Sequence, residues 1–261
     1  MSVMVFDIET VPDIEAGRVL YELDDLSDED VARSMFALRQ QQTGRDFLAH
    51  PLHRVVAISA VWESRDKVEV KTIGTEDSSE KEIIEKFFSS LDQLPVLVSW
   101  NGGGFDLPVL HYRALKLGVQ APRYWETGRG DQSFKWNNYL SRYHWRHLDL
   151  MDVLAGFQPR ANAPLDMVAT MLGFPGKMGM DGSKVWEAFH QGRIKDIRDY
   201  CETDVLNTYL VYLRFELMRG EINHAEYDQR SEQLHGFLES SKQDHLLEFS
   251  EAWNPQPLSE A

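Results

Sequence analysis

The tightest constraint on this chain is at its start, where the apolar run Val3-Met-Val-Phe6 leads without a break into Asp7, Ile8 and Glu9. Four consecutive apolar residues are the pattern of a strand covered on both faces, and so of a central strand between two layers. Side chains two apart in a strand point the same way. Asp7 and Glu9 therefore leave the end of that strand together, and like charges held so close repel each other. An all-oxygen pair of this kind suits a hard divalent cation such as Mg2+ or Mn2+. A solvated turn closed by Pro12 and Asp13 would account for the same residues, so the pair by itself names no function.

At 261 residues with 43% hydrophobic content, the chain can bury a full core around such a strand. Its 27 basic and 42 acidic residues give a formal charge of −15, which argues against adhesion to polyanions through the whole surface. A nucleic acid would have to be met locally. The single cysteine, Cys201, cannot form an intrachain disulfide, and no basic-then-apolar leader opens the sequence. No apolar run approaches the ~20 residues that span a bilayer. These observations predict a reduced, cytoplasmic setting with no membrane contact.

After the first strand, residues 14–48 read as a helical insertion: an acidic segment, then a surface helix opened by Ser27 with Asp30 three later and running to about Gln42. Arg54–Trp62 and Lys67–Ile73 are β-type runs joined by a charged turn, a hairpin that extends the first strand into a meander. Ser78 or Ser79 caps a helix over Glu80–Leu91, and Pro95–Trp100 is a fourth strand, reached by a helical crossover and hence parallel to a neighbour. Asn101-Gly-Gly-Gly-Phe-Asp106 leaves it and a helix follows over Leu107–Lys116. The glycines allow close approach and positive φ, but the spacing is not that of a mononucleotide P-loop. Asp106 also suits a helix N-cap.

Further on, His147–Asp152 is expected to open a helix with Asp149 and Asp152 as a capping pair. Helices follow at 165–172, 184–191 and 194–218, then one or two amphipathic helices over 221–253. On the long helix Tyr200 and Asp204, four apart, share a face. The predicted organisation is one domain over 1–253 with a tail at 254–261. Between Arg123 and His147 five basic residues face two acidic ones, interleaved with Tyr124, Trp125, Phe134, Trp136, Tyr139, Tyr143 and Trp145. That composition suits a single-stranded nucleic acid, whose bases stack on rings while cations follow the phosphates. Any one of these rings equally suits a core.

Three motifs now stand in order: Phe6-Asp7-Ile8-Glu9-Thr10 on the first strand, Trp100-Asn101-Gly-Gly-Gly-Phe105-Asp106-Leu-Pro108 after the fourth, and Tyr200-Cys-Glu-Thr-Asp204 on a late helix. Together they resemble the DEDD superfamily of 3′-5′ exonucleases, in its tyrosine-bearing subgroup, and in particular free-standing relatives of the proofreading domain of family-B DNA polymerases. The resemblance runs from about residue 3 to 215. It implies an α/β, ribonuclease H-like fold, with a mixed central sheet flanked by helices, the N-terminal helical insertion and C-terminal helices.

The resemblance also implies that Asp7, Glu9, Asp106 and Asp204 hold two divalent cations, Mg2+ or Mn2+, set roughly 3.5–4 Å apart as phosphodiester hydrolysis requires. Asp7 would bridge both, Glu9 and Asp204 would complete the water-activating site, and Asp106 would hold the other. Tyr200 would orient the attacking water. Thr10, Asn101 and Phe105 match positions that hold terminal nucleotides. The implied partner is single-stranded nucleic acid with a free 3′ end, DNA favoured, and the product a nucleoside 5′-monophosphate. Lys177 could neutralise phosphate, or be an ordinary surface lysine.

Two competing readings remain. Asp7-Ile8-Glu9-Thr10-Val11 also resembles the first motif of haloacid-dehalogenase-like phosphatases, although Glu9 replaces the usual Asp and the later motifs go unexplained. An exonuclease-like module kept only for binding would be free to lose a carboxylate, yet all four and the tyrosine are present.

Overall fold

The computed structural model describes residues 2–65, 67–255 and 258. The first strand, β1 (Val3–Pro12), lies at the middle of a five-stranded sheet. β2 (His53–Ser64) pairs antiparallel with it, and β3 (Lys67–Thr72) continues the meander on the outer edge. On the other side β4 (Val96–Ser99) pairs parallel with β1, and β5 (His147–Asp149) parallel with β4, giving the order β3-β2-β1-β4-β5. β4 and β5 stop level with about Phe6 of β1, and β1 runs on to Pro12, so Asp7 and Glu9 lie just beyond the ends of its parallel neighbours.

Helices cover both faces. α1 (Ile14–Tyr21) and α2 (Asp28–Thr43) form the insertion, with Ser27 accepting from the Asp30 amide as the sequence predicts. α3 (Glu80–Ser90), capped by Ser79, and α4 (Asp106–Leu117) flank β4 in the chain. Short helices α5 (Leu150–Leu154), α6 (Leu165–Met171) and α7 (Val185–His190) lead to the long α8 (Ile194–Met218), followed by α9 (His224–Glu239) and α10 (Asp244–Ala252). No helix among the described residues is long and apolar enough to cross a membrane. Of the expected tail, residues 256, 257 and 259–261 lie outside the described residues.

The alternation of β1 explains the two layers. Met4, Phe6 and Ile8 pack with α3 and α4, where Phe6 meets Phe87 at 5.0 Å between ring centroids. Val3 and Val5 point the other way, onto α8, α9 and α10. Each fully buried side chain of this size contributes ~1.5–3 kcal/mol, so the double-sided burial of β1 fixes its register firmly. Asp7 and Glu9 continue the α8-facing set, and Val11 joins Tyr200 and Cys201 in a third apolar cluster.

Three expectations need correction. His147–Asp149 is a buried strand and not the start of a helix; its three residues are too few to show a period, and pairing with β4 creates it. Residues 14–21, read only as an acidic segment, form a helix capped by Asp13. The positive φ after β4 falls on Asn101 (66°) and on none of Gly102, Gly103 or Gly104. Those glycines serve close approach: a Cβ on Gly102 would come within 2.2 Å of Ser99 Oγ, and one on Gly104 within 2.3 Å of Asn101 Oδ1.

A buried ionic cluster ties this frame together. Arg113 on α4 donates to both carboxylate oxygens of Glu80 at 2.7 and 2.6 Å and also pairs with Asp13, while Glu80 accepts from the Val55 amide at 2.8 Å. Arg113 and Asp13 are each 3% exposed. Lys116 reaches Asp13 from the surface. Arg113→Ala is expected to cost ~3–5 kcal/mol because buried Glu80 loses its bidentate cation and buried Asp13 is left with Lys116 alone, far more than deletion of a surface pair. Urea unfolding checks this. A midpoint unchanged from wild type would mean that water already solvates the pair.

Candidate active site

Four carboxylates meet where β1, α4 and α8 converge. Asp7 and Glu9 lie within β1, which runs on to Pro12, and not past its end as the sequence suggested; Asp106, the first residue of α4, accepts the Ile8 amide at 3.2 Å, which places it across the strand from them. Asp106 thus belongs to this carboxylate cluster and is not the N-cap, which is Phe105. From α8 come Tyr200 and Asp204, one turn apart as their spacing requires, with Cys201 between them on the same face. Glu9 and Asp106 are buried, while Asp7 and Asp204 are half-buried and open to a ligand.

The electrostatics show how crowded the cluster is. Burial, then the charges of Asp106, Glu9 and Asp204, push Asp7 well above the ordinary carboxylate range. Burial and the charges of Asp204 and Asp106 do the same to Glu9. Asp106 is pushed up to about 7, chiefly by burial and in part by Asp149. Asp204 rises to about 6 through burial, although Tyr200 and Lys177 pull it down. Tyr200 is driven far above its normal value, by burial first and then by Asp204 and Glu9.

Such a set fits hard cations. The oxygens of Asp7 and Glu9 lie within 4.8 Å of each other and of Cys201 Sγ. The thiol is an unsuitable ligand: burial and the neighbouring carboxylates hold it protonated, and it donates to the Asp7 carbonyl at 3.5 Å. What remains is all oxygen, the donor set of Mg2+ or Mn2+.

These shifts predict a pH dependence. A carboxyl whose folded pKa is raised opposes folding above its unfolded value of about 4, and the penalty fades as pH falls through the folded value. The metal-free cluster should therefore add stability as pH drops from about 7.5 to 5.5, and Mg2+ should raise Tm more at the higher pH. An Asp106→Asn, Asp204→Asn double variant with the same pH slope of Tm as wild type would refute this.

The remaining predicted residues lie around the cluster. Asn101 occupies the left-handed turn after β4, and its carbonyl accepts the amides of Gly104 and Phe105. Asp149 holds this turn, accepting from the Asn101 and Gly103 amides at 2.9 Å each. It also accepts the Asp152 amide, so the predicted capping contact is present with a second role beside it. Thr10 bonds His53, and Phe105 packs against His53, His50 and Phe47. Lys177 pairs with Asp181 at 2.7 Å, yet its charge still acts on Glu9 and Asp204, so it belongs to the site's field.

Sequence reasoning missed Cys201, His53 and the turn-holding role of Asp149, because each depends on partners distant in the chain. The basic and aromatic stretch is not brought to the carboxylates. Tyr139 donates to the Pro95 carbonyl and Arg146 accepts from Leu97, both where β4 and β5 begin, at the opposite end of the parallel strands. Tyr124, Phe134 and Tyr139 are core, whereas Trp125, Trp136, Tyr143 and Trp145 are exposed.

Comparison with known proteins bears on the fold and the family. The structure of the family B DNA polymerase from the hyperthermophilic archaeon Pyrobaculum calidifontis superimposes with a TM-score of 0.50 at 19% identity, covering 97% of this chain and 27% of that one. That likeness shows the fold, the mixed α/β sheet of the ribonuclease H-like class. DNA polymerase 1 of Sulfurisphaera ohwakuensis is 46% identical over 39 residues, and DNA polymerase 1 of Saccharolobus solfataricus 44% identical over 41. Those segments are 15% and 16% of this chain and only 4% and 5% of the polymerases. Residues 45–253, which include Asp106, Tyr200 and Asp204, match the family described as "Predicted 3'-5' exonuclease related to the exonuclease domain of PolB", and the chain belongs to that family.

Proposed function

We propose that this protein is a two-metal-ion 3′-5′ exonuclease of the tyrosine-bearing DEDD subgroup that releases nucleoside 5′-monophosphates from single-stranded nucleic acid. The observation that carries this reading is the convergence of four mutually repelling carboxylates with a tyrosine one helical turn from the last of them. Asp7, Glu9, Asp106 and Asp204 would hold two Mg2+ or Mn2+ ions, which supply an acidified water and charge stabilisation at the phosphate. Tyr200, with its hydroxyl far too weak an acid to shuttle protons at neutral pH, orients by hydrogen bonding instead. Lys177 adds positive potential beside Glu9 and Asp204, where a phosphate would lie.

Phe105, half-buried among rings, and Asn101 in its fixed turn contact the terminal nucleotides together with Thr10. The preference for DNA rests on the DNA polymerases this chain partly resembles. Residues 1–253 act as one unit in this reading, in a reduced, cytoplasmic setting suited to the free thiol of Cys201. The phosphatase alternative leaves Asp106, Tyr200 and Asp204 without a task.

Matched DNA and RNA strands labelled at either end test the proposal. A 3′ label should appear at once as mononucleotide and a 5′ label as a shortening ladder, both only with Mg2+ or Mn2+ present. Metal-independent release, or oligonucleotide products from the 3′ end, would overturn it.

A further inference from the structure

Next to Glu9, the Thr10 hydroxyl is fixed in polarity by a partner 43 residues away. Its oxygen lies 2.8 Å from His53 Nδ1, and His53 Nε2 lies 3.2 Å from the Leu48 carbonyl oxygen. A carbonyl only accepts, so Nε2 carries the hydrogen. Burial, helped by the nearby charge of His50, lowers the pKa of the ring to about 4, so at neutral pH Nδ1 offers only a lone pair. Thr10 must then donate its one proton to His53. What its oxygen has left is acceptance alone.

The imidazole has little freedom to change this. It is 7% exposed, and the rings of Phe47 and Phe105 sit against it with centroids at 5.2 and 5.1 Å. Leu48, whose carbonyl sets the tautomer, is itself buried in the core of the insertion. The insertion and β1 are thereby joined through a single directed pair of hydrogen bonds.

We propose that His53 is a positioning residue that makes Thr10 an obligate hydrogen-bond acceptor, so that the site selects strand ends bearing a donating sugar hydroxyl, the free 3′-OH. This rests on the exonuclease reading and on Thr10 as a contact of the terminal nucleotide. Selection by this means follows polarity and not size. A 3′-fluoro end is close in size to a 3′-hydroxyl but only accepts, and it would meet the Thr10 lone pairs unpaired; a 3′-amino end donates and would be accepted.

The test uses strands identical except for a 3′-hydroxyl, 3′-amino, 3′-deoxy or 3′-fluoro terminus, with kcat/KM measured for each. Wild type should favour hydroxyl and amino ends. In Thr10→Val the ratio of hydroxyl to fluoro ends should fall about tenfold, the value of one hydrogen bond at a half-buried site. Thr10→Ser should retain it. His53→Leu should lower it to a similar extent, because the freed Thr10 hydroxyl can then rotate and donate, and the double variant should fall no further than Thr10→Val alone. Each ratio is taken within one variant, so a general loss of rate or stability cancels.

An unchanged ratio in Thr10→Val would overturn the inference without help from any other variant. So would a His53→Leu effect that persists undiminished when Thr10 is already valine. Absence of any release from the 3′-hydroxyl strand by wild type would instead sink the exonuclease reading, and this inference with it.

Discussion

Asp7→Ala is expected to abolish strand hydrolysis, by about a thousandfold or more, while leaving the protein folded. In the proposed mechanism Asp7 would be shared by both ions, and losing such a ligand removes charge stabilisation worth several kcal/mol at the transition state, where ~4 kcal/mol is already a factor of a thousand. The fold should survive because the Asp7 backbone is held in the ladder opposite Ser59, whereas its side chain is a source of repulsion among Glu9, Asp106 and Asp204. In metal-free buffer the variant should melt no lower than wild type. Asp204→Ala should behave the same way. The contrast with Arg113 is instructive: there deletion strands the buried Glu80 charge and weakens the pairing of Asp13, here it relieves three carboxylates. Steady-state rates with Mn2+ and thermal melts in chelator decide the matter. A rate within tenfold of wild type would mean that the cluster is not the catalytic site, and a large fall in Tm would mean that lost activity reports unfolding.

The parts of this site that were legible in sequence are those carried by long, regular elements. The apolar run into Asp7 and Glu9 specifies a two-sided strand, and a 25-residue helix puts Tyr200 and Asp204 on one face whatever packs against it. Asp106 could be found but not assigned from its surroundings alone, since an acidic residue at a helix start has a structural use as well; only the Ile8 contact across the strand separates the two. β5 and α1 were not legible for local reasons. The first is three residues long and exists by pairing, and the second is only eight residues long, its inward face of Ile14, Gly17 and Tyr21 diluted by the exposed Val19 and Leu20. Cys201, His53 and Asp149 act through contacts spanning 194, 43 and 48 or fewer residues, which no local pattern encodes.

A covalently closed single strand should resist this protein completely under conditions in which its linear form is consumed. Metal clusters of this composition can in principle cut anywhere along a chain, so the selection for ends has to come from what surrounds them. Here the surroundings are close: Thr10, bonded to His53, which packs on Phe105, sits one residue past Glu9, and the turn at Asn101, pinned by Asp149, leads into Asp106. In the proposed reading these residues hold the terminal nucleotide, and a strand continuing past the scissile phosphate in the 3′ direction would have to pass them. A terminal nucleotide need not, and an unpaired one avoids the few kcal/mol of unstacking and unpairing that a duplex end must first meet. Linear single strands should therefore outpace blunt duplexes, with mismatched ends in between. Tyr200→Phe should slow hydrolysis of the linear strand while leaving its binding in place, because the ring stays packed with Val11 and Cys201 and only the hydroxyl is lost. Rapid opening of the circle, seen as full-length linear product on a denaturing gel, would show that internal phosphates reach the cluster. The end-directed reading would then fail even with the metal cluster correctly assigned.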